Sequence, residues 1–171
     1  KPETLQGVFN GVDYVIDAKA ASLSPFGDSP EEVDLQGTKY MIAAAKAVGG
    51  VRKYVIITSS SSGVKDHFLN TIGRDVLIYK SLAEEALTAS GIPYVIVRPA
   101  KMTDDPPGKA ITLMPRADYV TRMTVTRADT ATVCIAALAS PDADNRAFTI
   151  ANGDGAYSDN WQQALARMPA K

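Results

Sequence analysis

The sequence predicts an α/β domain built on a parallel sheet with right-handed helical crossovers. Two observations carry this expectation. The β-branched runs Tyr14-Val15-Ile16, Tyr54-Val55-Ile56-Ile57 and Tyr94-Val95-Ile96-Val97 are unbroken rather than alternating, as in strands buried on both faces. Between and after them lie segments of helical periodicity, giving the order strand, helix, strand, helix, strand, helix, strand.

The first strand runs from Tyr14 to about Ala18. The helix after it opens at Ser29-Pro30-Glu31-Glu32, which supplies an N-cap serine, a proline in the first turn and a capping-box glutamate. Val33, Gly37, Met41, Ala44, Ala45 and Val48 then recur at helical spacing up to Gly49-Gly50. Gly37 inside this helix costs up to ~1 kcal/mol against alanine, so it is expected where something packs closely on the helix. A second helix spans about Asp75 to Ser90 and ends before Gly91, a residue suited to a left-handed cap. A third begins near Thr126, with Asp129 three residues on, and ends at Ala139 before Pro141. The strand Phe148 to Ile150 and a short helix from about Trp161 to Met168 finish the chain.

Two long stretches, Ser59 to Arg74 and Lys101 to Val125, read as irregular. Both follow the C-terminal end of a strand, where open α/β sheets bind ligands, and 101–125 is assigned to the substrate side. Met102, Met114 and Met123 would line a substrate pocket there or plug an uneven core. The only histidine, His67, sits between Asp66 and Phe68 with no second metal ligand at a suitable spacing, so it reads as a solvated loop residue and no metal is expected. Gly153-Asp154-Gly155-Ala156-Tyr157-Ser158 imitates a phosphate loop, but no βαβ unit follows it, and a surface turn is the simpler reading.

All 171 residues are expected to form one domain. Eighteen basic against nineteen acidic residues leave a formal charge of -1, which gives nucleic acid or anionic lipid no electrostatic surplus to bind. One cysteine, Cys134, in an apolar run, cannot make an internal disulfide and suits a reducing, cytoplasmic compartment. No apolar stretch approaches the ~18 residues of a membrane span.

Six blocks in order carry a family resemblance: Gly11-Val12-Asp13-Tyr14-Val15-Ile16, Val33-Asp34-x-x-Gly37-Thr38, Tyr54-Val55-x-x-Thr58-Ser59-Ser60, Lys80-x-x-x-Glu84, Ser90-Gly91-Ile92-Pro93-Tyr94-x-x-Val97-Arg98-Pro99, and Thr126-Arg127-Ala128-Asp129-x-Ala131. Together they resemble NmrA-like, atypical short-chain dehydrogenases over roughly residues 5 to 151. The resemblance implies a partial Rossmann-like sheet, with strands equivalent to the fourth onward, and NADP or NAD as cofactor, NADP slightly preferred. It places Thr58 and Ser59 beside the nicotinamide and the reacting carbonyl, where a hydroxyl could donate to a developing oxyanion. It makes Lys80 the ligand of the nicotinamide ribose, Pro99 and Ala100 the turn that shapes the nicotinamide pocket, and Ala18 the point where the backbone passes the adenosine. Ser59 and Lys80 are thus the candidate catalytic residues.

Two departures bear on function. The family's catalytic tyrosine would lie one helical turn before Lys80, where this chain has Val76, and the adjacent Tyr79 points elsewhere around the helix. The 171 residues also contain no G-x-x-G-x-x-G sequence, the turn that brings backbone amides and a helix N-terminus to the diphosphate. Lys1 to Leu5 resembles the helix before the fourth strand, so about three strands are expected to be lacking and cofactor binding by the chain alone to be weak or lost. The expectation is an NAD(P)-dependent oxidoreductase or isomerase-like protein acting on a carbonyl or related group. Its rival is a catalytically silent binding or scaffold module. The first strand would then be an unpaired edge that recruits a second copy or a chain supplying the lost strands.

Overall fold

The computed structural model describes residues 2–24, 26–115, 122–156 and 160–167. In chain order the elements are β1 (Tyr14–Asp17), α1 (Gly37–Val48), β2 (Lys53–Ile57), α2 (Phe68–Ile72), α3 (Val76–Thr88), β3 (Tyr94–Pro99), β4 (Lys101–Thr103), β5 (Lys109–Met114), β6 (Thr124–Thr126), α4 (Arg127–Ala139), β7 (Arg146–Ala156) and α5 (Asn160–Arg167). Five strands make one sheet in the order β1-β2-β3-β7-β5. The first four are parallel, and β5 runs antiparallel to β7. A second small sheet pairs β4 with β6.

The register explains the two cores. Val15, Tyr54 and Tyr94 stand opposite one another and point to one face, where they join Ile42 and Ala45 of α1 and Ala83 and Leu87 of α3. Val55, Val95, Val97, Phe148 and Ile150 point to the other face, against Val133, Cys134 and Ala137 of α4. Every residue of β3 is buried, as an unbroken apolar run predicts. Each such side chain stabilises the fold by roughly 1.5–3 kcal/mol relative to exposure. β1 departs from this pattern. Val15 and Asp17 are buried, whereas Tyr14 and Ile16 are exposed, because α4 covers β2 and β3 but no described helix covers β1 on that side.

The local signals hold where they are short in range. Ser29 Oγ accepts from the Glu32 amide at 3.1 Å while Glu32 Oε2 accepts from the Ser29 amide at 2.9 Å, the reciprocal box expected of that motif. Thr126 Oγ1 likewise accepts from the Asp129 amide at 2.9 Å. Gly49 closes α1 in the left-handed region at φ 73°. The C-terminal end of α4 is held by a residue far away in sequence. Lys53, at the start of β2, donates from Nζ to the carbonyls of Ala137 at 3.0 Å and Ser140 at 2.8 Å, and pairs with Asp144.

Four expectations are corrected. The segment before α1 is a π-helical turn over Glu31–Gln36 rather than regular α-helix. The stretch 101–125 is not irregular: it contains β4, β5 and β6, and Ile111 and Leu113 of β5 alternate into the core. Met102, Met114 and Met123 pack against that core. Gly153 to Ala156 belong to β7 instead of a turn, while Tyr157 and Ser158 lie outside the described residues. His67 is buried and structural: its Nδ1 accepts from the Leu69 amide at 3.1 Å, capping α2, and its ring stacks on Phe68. Among the described residues no helix is long and apolar enough to cross a membrane.

Candidate active site

The C-terminal ends of β2 and β3 bring Thr58, Ser59, Pro99 and Ala100 together, whereas Lys80 and Ala18 border two separate cavities. Where β2 ends, the Thr58 amide donates to Val97 O and the Ser60 amide to Pro99 O, so the Thr58-Ser59-Ser60 turn is stitched to the Pro99-Ala100 turn. Ala100 is in turn tied to Ile150 O. Ser59 is half-buried, with its Oγ accepting from the Ser61 amide at 3.2 Å. Its hydroxyl proton is therefore not committed by that contact.

Thr58 differs from Ser59. Its hydroxyl is buried and donates to Glu84 Oε1 at 2.6 Å. The same carboxylate takes Arg98 Nη2 at 2.6 Å and Arg98 Nε at 3.1 Å. Glu84 thus clamps α3 to the ends of β2 and β3, and it is the partner of Arg98 and Thr58 rather than of Lys80 one turn earlier.

Lys80 turns instead to the π-helical turn, where Asp34 Oδ1 lies 2.7 Å from its Nζ. Asp34 is itself fixed, since its Oδ2 accepts from the Ala21 amide at 3.2 Å. Beside it Lys19 pairs with Asp17 and donates to Thr38 Oγ1 at 2.6 Å. Tyr54 donates its hydroxyl to the same Asp17 at 2.7 Å, and burial together with that carboxylate holds the phenol well above its ordinary range. Gly37 explains how Lys19 reaches this position: a Cβ there would lie 3.0 Å from Lys19 Cε. The close neighbour expected at Gly37 is thus the Lys19 side chain. Lys19, Asp34, Thr38, Thr58 and Lys80 border one cavity of about 10 Å³, room for a single water with several polar partners.

Across the sheet, Ala18 is exposed and borders an open apolar cavity of about 320 Å³ with Ile16, Ile57, Met102, Ala131 and Ile135. Val76, where the family tyrosine would stand, is buried at the first position of α3 and offers no proton. Tyr79 donates to Glu31 at 3.3 Å on the exposed side of the same helix. Sequence reasoning missed Lys19 and the roles of Asp34 and Glu84, because each acts on a residue distant in the chain.

Comparison with known proteins places this geometry in a family. A family model described as NAD(P)H-binding matches residues 1–141. An uncharacterised chloroplastic protein of Arabidopsis thaliana is 34% identical over 152 residues, covering 85% of this chain and 46% of that protein. Sanguinarine reductase of Eschscholzia californica is 37% identical over 129 residues, again covering 46% of its own length and 72% of this chain. The chain therefore spans about half the length of these curated relatives. Among solved structures, the oxidoreductase ylbE of Lactococcus lactis superposes with a TM-score of 0.76 at 20% identity, covering 96% of this chain and 71% of that one. From the match over residues 1–141 and the parallel sheet with its ordered motifs, the chain belongs to the NAD(P)H-binding Rossmann-like family, in its atypical short-chain dehydrogenase branch.

Proposed function

We propose that the chain carries the nicotinamide and substrate side of an NAD(P)H-dependent reductase acting on a carbonyl or related group. The observation that supports this is that the Thr58-Ser59-Ser60 turn is tied to the Pro99-Ala100 turn at the C-terminal end of the sheet, while Lys80, held by Asp34, borders one cavity with Thr58. The residues fit the nicotinamide half of the cofactor. An ammonium has three donors, and the bond to Asp34 leaves others for ribose hydroxyls. Bound reduced nicotinamide would supply the hydride, while Ser59 would donate to the oxygen on which charge develops. The diphosphate half has no glycine turn in these 171 residues, so binding by this chain alone is weak. NADP is preferred over NAD on family resemblance.

The test is single-turnover loss of reduced-nicotinamide absorbance with an aromatic aldehyde, using the parent, Ser59→Ala and Lys80→Ala at high NADPH. Slower turnover in Ser59→Ala and weaker cofactor dependence in Lys80→Ala support the proposal, and parent-like behaviour of both variants refutes it.

A second reading is favoured by Val76 and by Thr58, whose hydroxyl is engaged with Glu84: a silent binding module that keeps the fold without a proton donor. In either reading the exposed edge of β1 is proposed to pair with another polypeptide, a second copy or a chain supplying further strands, because its outer backbone edge has no strand partner among the described residues.

A further inference from the structure

We infer that Arg74 is a positioning residue for the Lys80 ammonium: it fastens the loop that enters the π-helical turn to the turn that enters α3, and so brings Asp34 and Lys80 together. This rests on the reductase reading, in which Lys80 serves the nicotinamide ribose, and adds a residue to that same site.

The two halves of the ion pair come from separate stretches of chain. Asp34 lies in the turn Glu31–Gln36, and Lys80 lies in the second turn of α3. The two stretches are bridged three times, in order. Arg74 Nη2 donates to the carbonyls of Ser24 at 3.2 Å, Gly27 at 3.2 Å and Asp28 at 3.0 Å. Tyr79 then donates to Glu31 at 3.3 Å, and Lys80 meets Asp34 at 2.7 Å. Arg74 is half-buried and its bridge is charge-assisted with three acceptors, whereas the Tyr79 contact is long and exposed to solvent. Most of the fastening ahead of the pair therefore falls to Arg74.

The placement of Arg74 is itself enforced. Both it and Asp75 are left-handed, at φ 51° and 61°. Non-glycine residues persist there only where their surroundings over-determine them. Buried Asn70 does this: its carbonyl accepts from the Asp75 amide at 3.0 Å and its side-chain oxygen from the Leu77 amide at 3.0 Å. Gly73 leaves no slack just before, since a Cβ there would lie 2.6 Å from Leu69 O. The strained turn that aims Arg74 also starts α3, so Arg74 and Lys80 are fixed relative to each other.

The partner stretch is the one that needs holding. In the π-helical turn the Gly37 amide bonds to Glu32 O, five residues back, so the turn accommodates an extra residue. Were that residue taken up elsewhere, Asp34 would turn away from Lys80, because each residue advances a helix by about 100°. Downstream the turn is pinned by the Thr38 hydroxyl, which donates to Asp34 O at 2.7 Å. Upstream it depends on the exposed Ser29–Glu32 box and on Arg74, which grips the carbonyl of Asp28 immediately before that box.

The test reads Lys80 directly and without cofactor, as its rate of reductive methylation followed by mass spectrometry in the full chain. The proteins compared are the parent, Arg74→Ala, Arg74→Lys and Tyr79→Phe. Lys53, whose side chain is 6% exposed and held at the end of α4, reports any loosening of the whole fold. Arg74→Ala is expected to methylate at Lys80 about fivefold to thirtyfold faster, with Lys53 unchanged. Arg74→Lys, which keeps a cationic donor, should fall between it and the parent, and Tyr79→Phe should match the parent. In single-turnover assays Arg74→Ala should need about fivefold more NADPH or above while its saturating rate stays unchanged, a split that a merely structural role would not give. Parent-like labelling of Lys80 in Arg74→Ala would overturn the assignment, as would equal acceleration of Lys80 and Lys53 in both Arg74 variants. If only Arg74→Ala accelerates both lysines, Arg74→Lys decides: faster Lys80 labelling upholds the assignment and parent-like labelling overturns it. Unchanged NADPH dependence in Arg74→Ala beside a loss in Lys80→Ala would also overturn it. Faster Lys80 labelling with unchanged NADPH dependence in Arg74→Ala and Lys80→Ala alike would uphold the positioning and sink the reductase reading alone.

Discussion

Lys80 Nζ stands 2.7 Å from Asp34 Oδ1, with the two side chains only 12% and 3% exposed. A lysine that borders the same small cavity as Thr58 is thus held by a carboxylate presented from a π-helical turn, an irregularity that recurs where a helix serves a function. Removing one member of a buried pair leaves the other uncompensated, at a cost of about 3–5 kcal/mol. Asp34→Asn is therefore expected to lower the urea midpoint substantially, and Asp34→Asn/Lys80→Met to recover part of the loss. Equal midpoints for Asp34→Asn and the parent would show that the pair does not hold the turn.

Thr58 and Ser59 are adjacent but are expected to respond in opposite ways. The Thr58 hydroxyl donates to Glu84, a bond to a charged acceptor worth about 1.5–3 kcal/mol, so Thr58→Val should lose stability. Ser59→Ala should leave stability within about 0.5 kcal/mol, since its half-buried side chain anchors little, and should slow turnover instead. Denaturant unfolding and single-turnover rates measured on both variants decide the matter. A slow Thr58→Val and a fully active Ser59→Ala would reverse the assignment.

Glu84 is expected to be more sensitive than either. Arg98 is 2% exposed, so Glu84→Ala would strand a guanidinium inside the protein and cost about 3–5 kcal/mol. Glu84→Gln, which keeps an acceptor, should cost less. A thermal melt of Glu84→Ala that matches the parent would contradict the clamp.

Cys134 carries a pH-dependent prediction. Burial pushes its thiol from 9.0 up to about 12. Above pH 9 the unfolded chain loses this proton while the folded chain keeps it, so the unfolded state binds fewer protons and stability falls as pH rises from about 9 towards 12. Cys134→Ala should show a shallower decline than the parent over that window, measured by urea unfolding. The folded parent should also react slowly with a disulfide reagent at neutral pH. Identical slopes, or rapid reaction of the native thiol, would remove the buried thiol from the account.

The β1 edge predicts association. Light scattering at rising concentration should show a dimer or larger assembly, and a charged residue at the exposed edge, Ile16→Lys, should favour the monomer. A stable monomer at high concentration would leave the edge unpartnered.

Local features of this fold were legible in the sequence, while features made by distant partners were not. The boxes at Ser29 and Thr126 act over three residues, and the buried runs of β2 and β3 are apolar in every position that matters, so the chain order, the helices and the parallel sheet could be read directly. The π-helical turn could not, because it aims Asp34 at Lys80, 46 residues away. β5 did carry a signal, the alternating Ile111 and Leu113, but Pro106-Pro107-Gly108 before it read as loop. His67 capping Leu69 was within local reach, since the acceptor lies two residues before the donor. The bare side of β1 depends on which helices lie above it and has no trace in Tyr14-Val15-Ile16 itself.

The central claim is that reduced nicotinamide cofactor approaches this chain at the turn after β2. The most direct measurement is titration of the nitrogen-15-labelled chain with NADPH, following amide shifts. The account predicts weak binding, with a dissociation constant well above micromolar because no glycine turn engages the diphosphate, and shifts concentrated at Thr58, Ser59, Lys80 and Ala100. Shifts spread evenly over the surface, centred on the Gly153 to Ala156 strand, or absent at millimolar NADPH would contradict it.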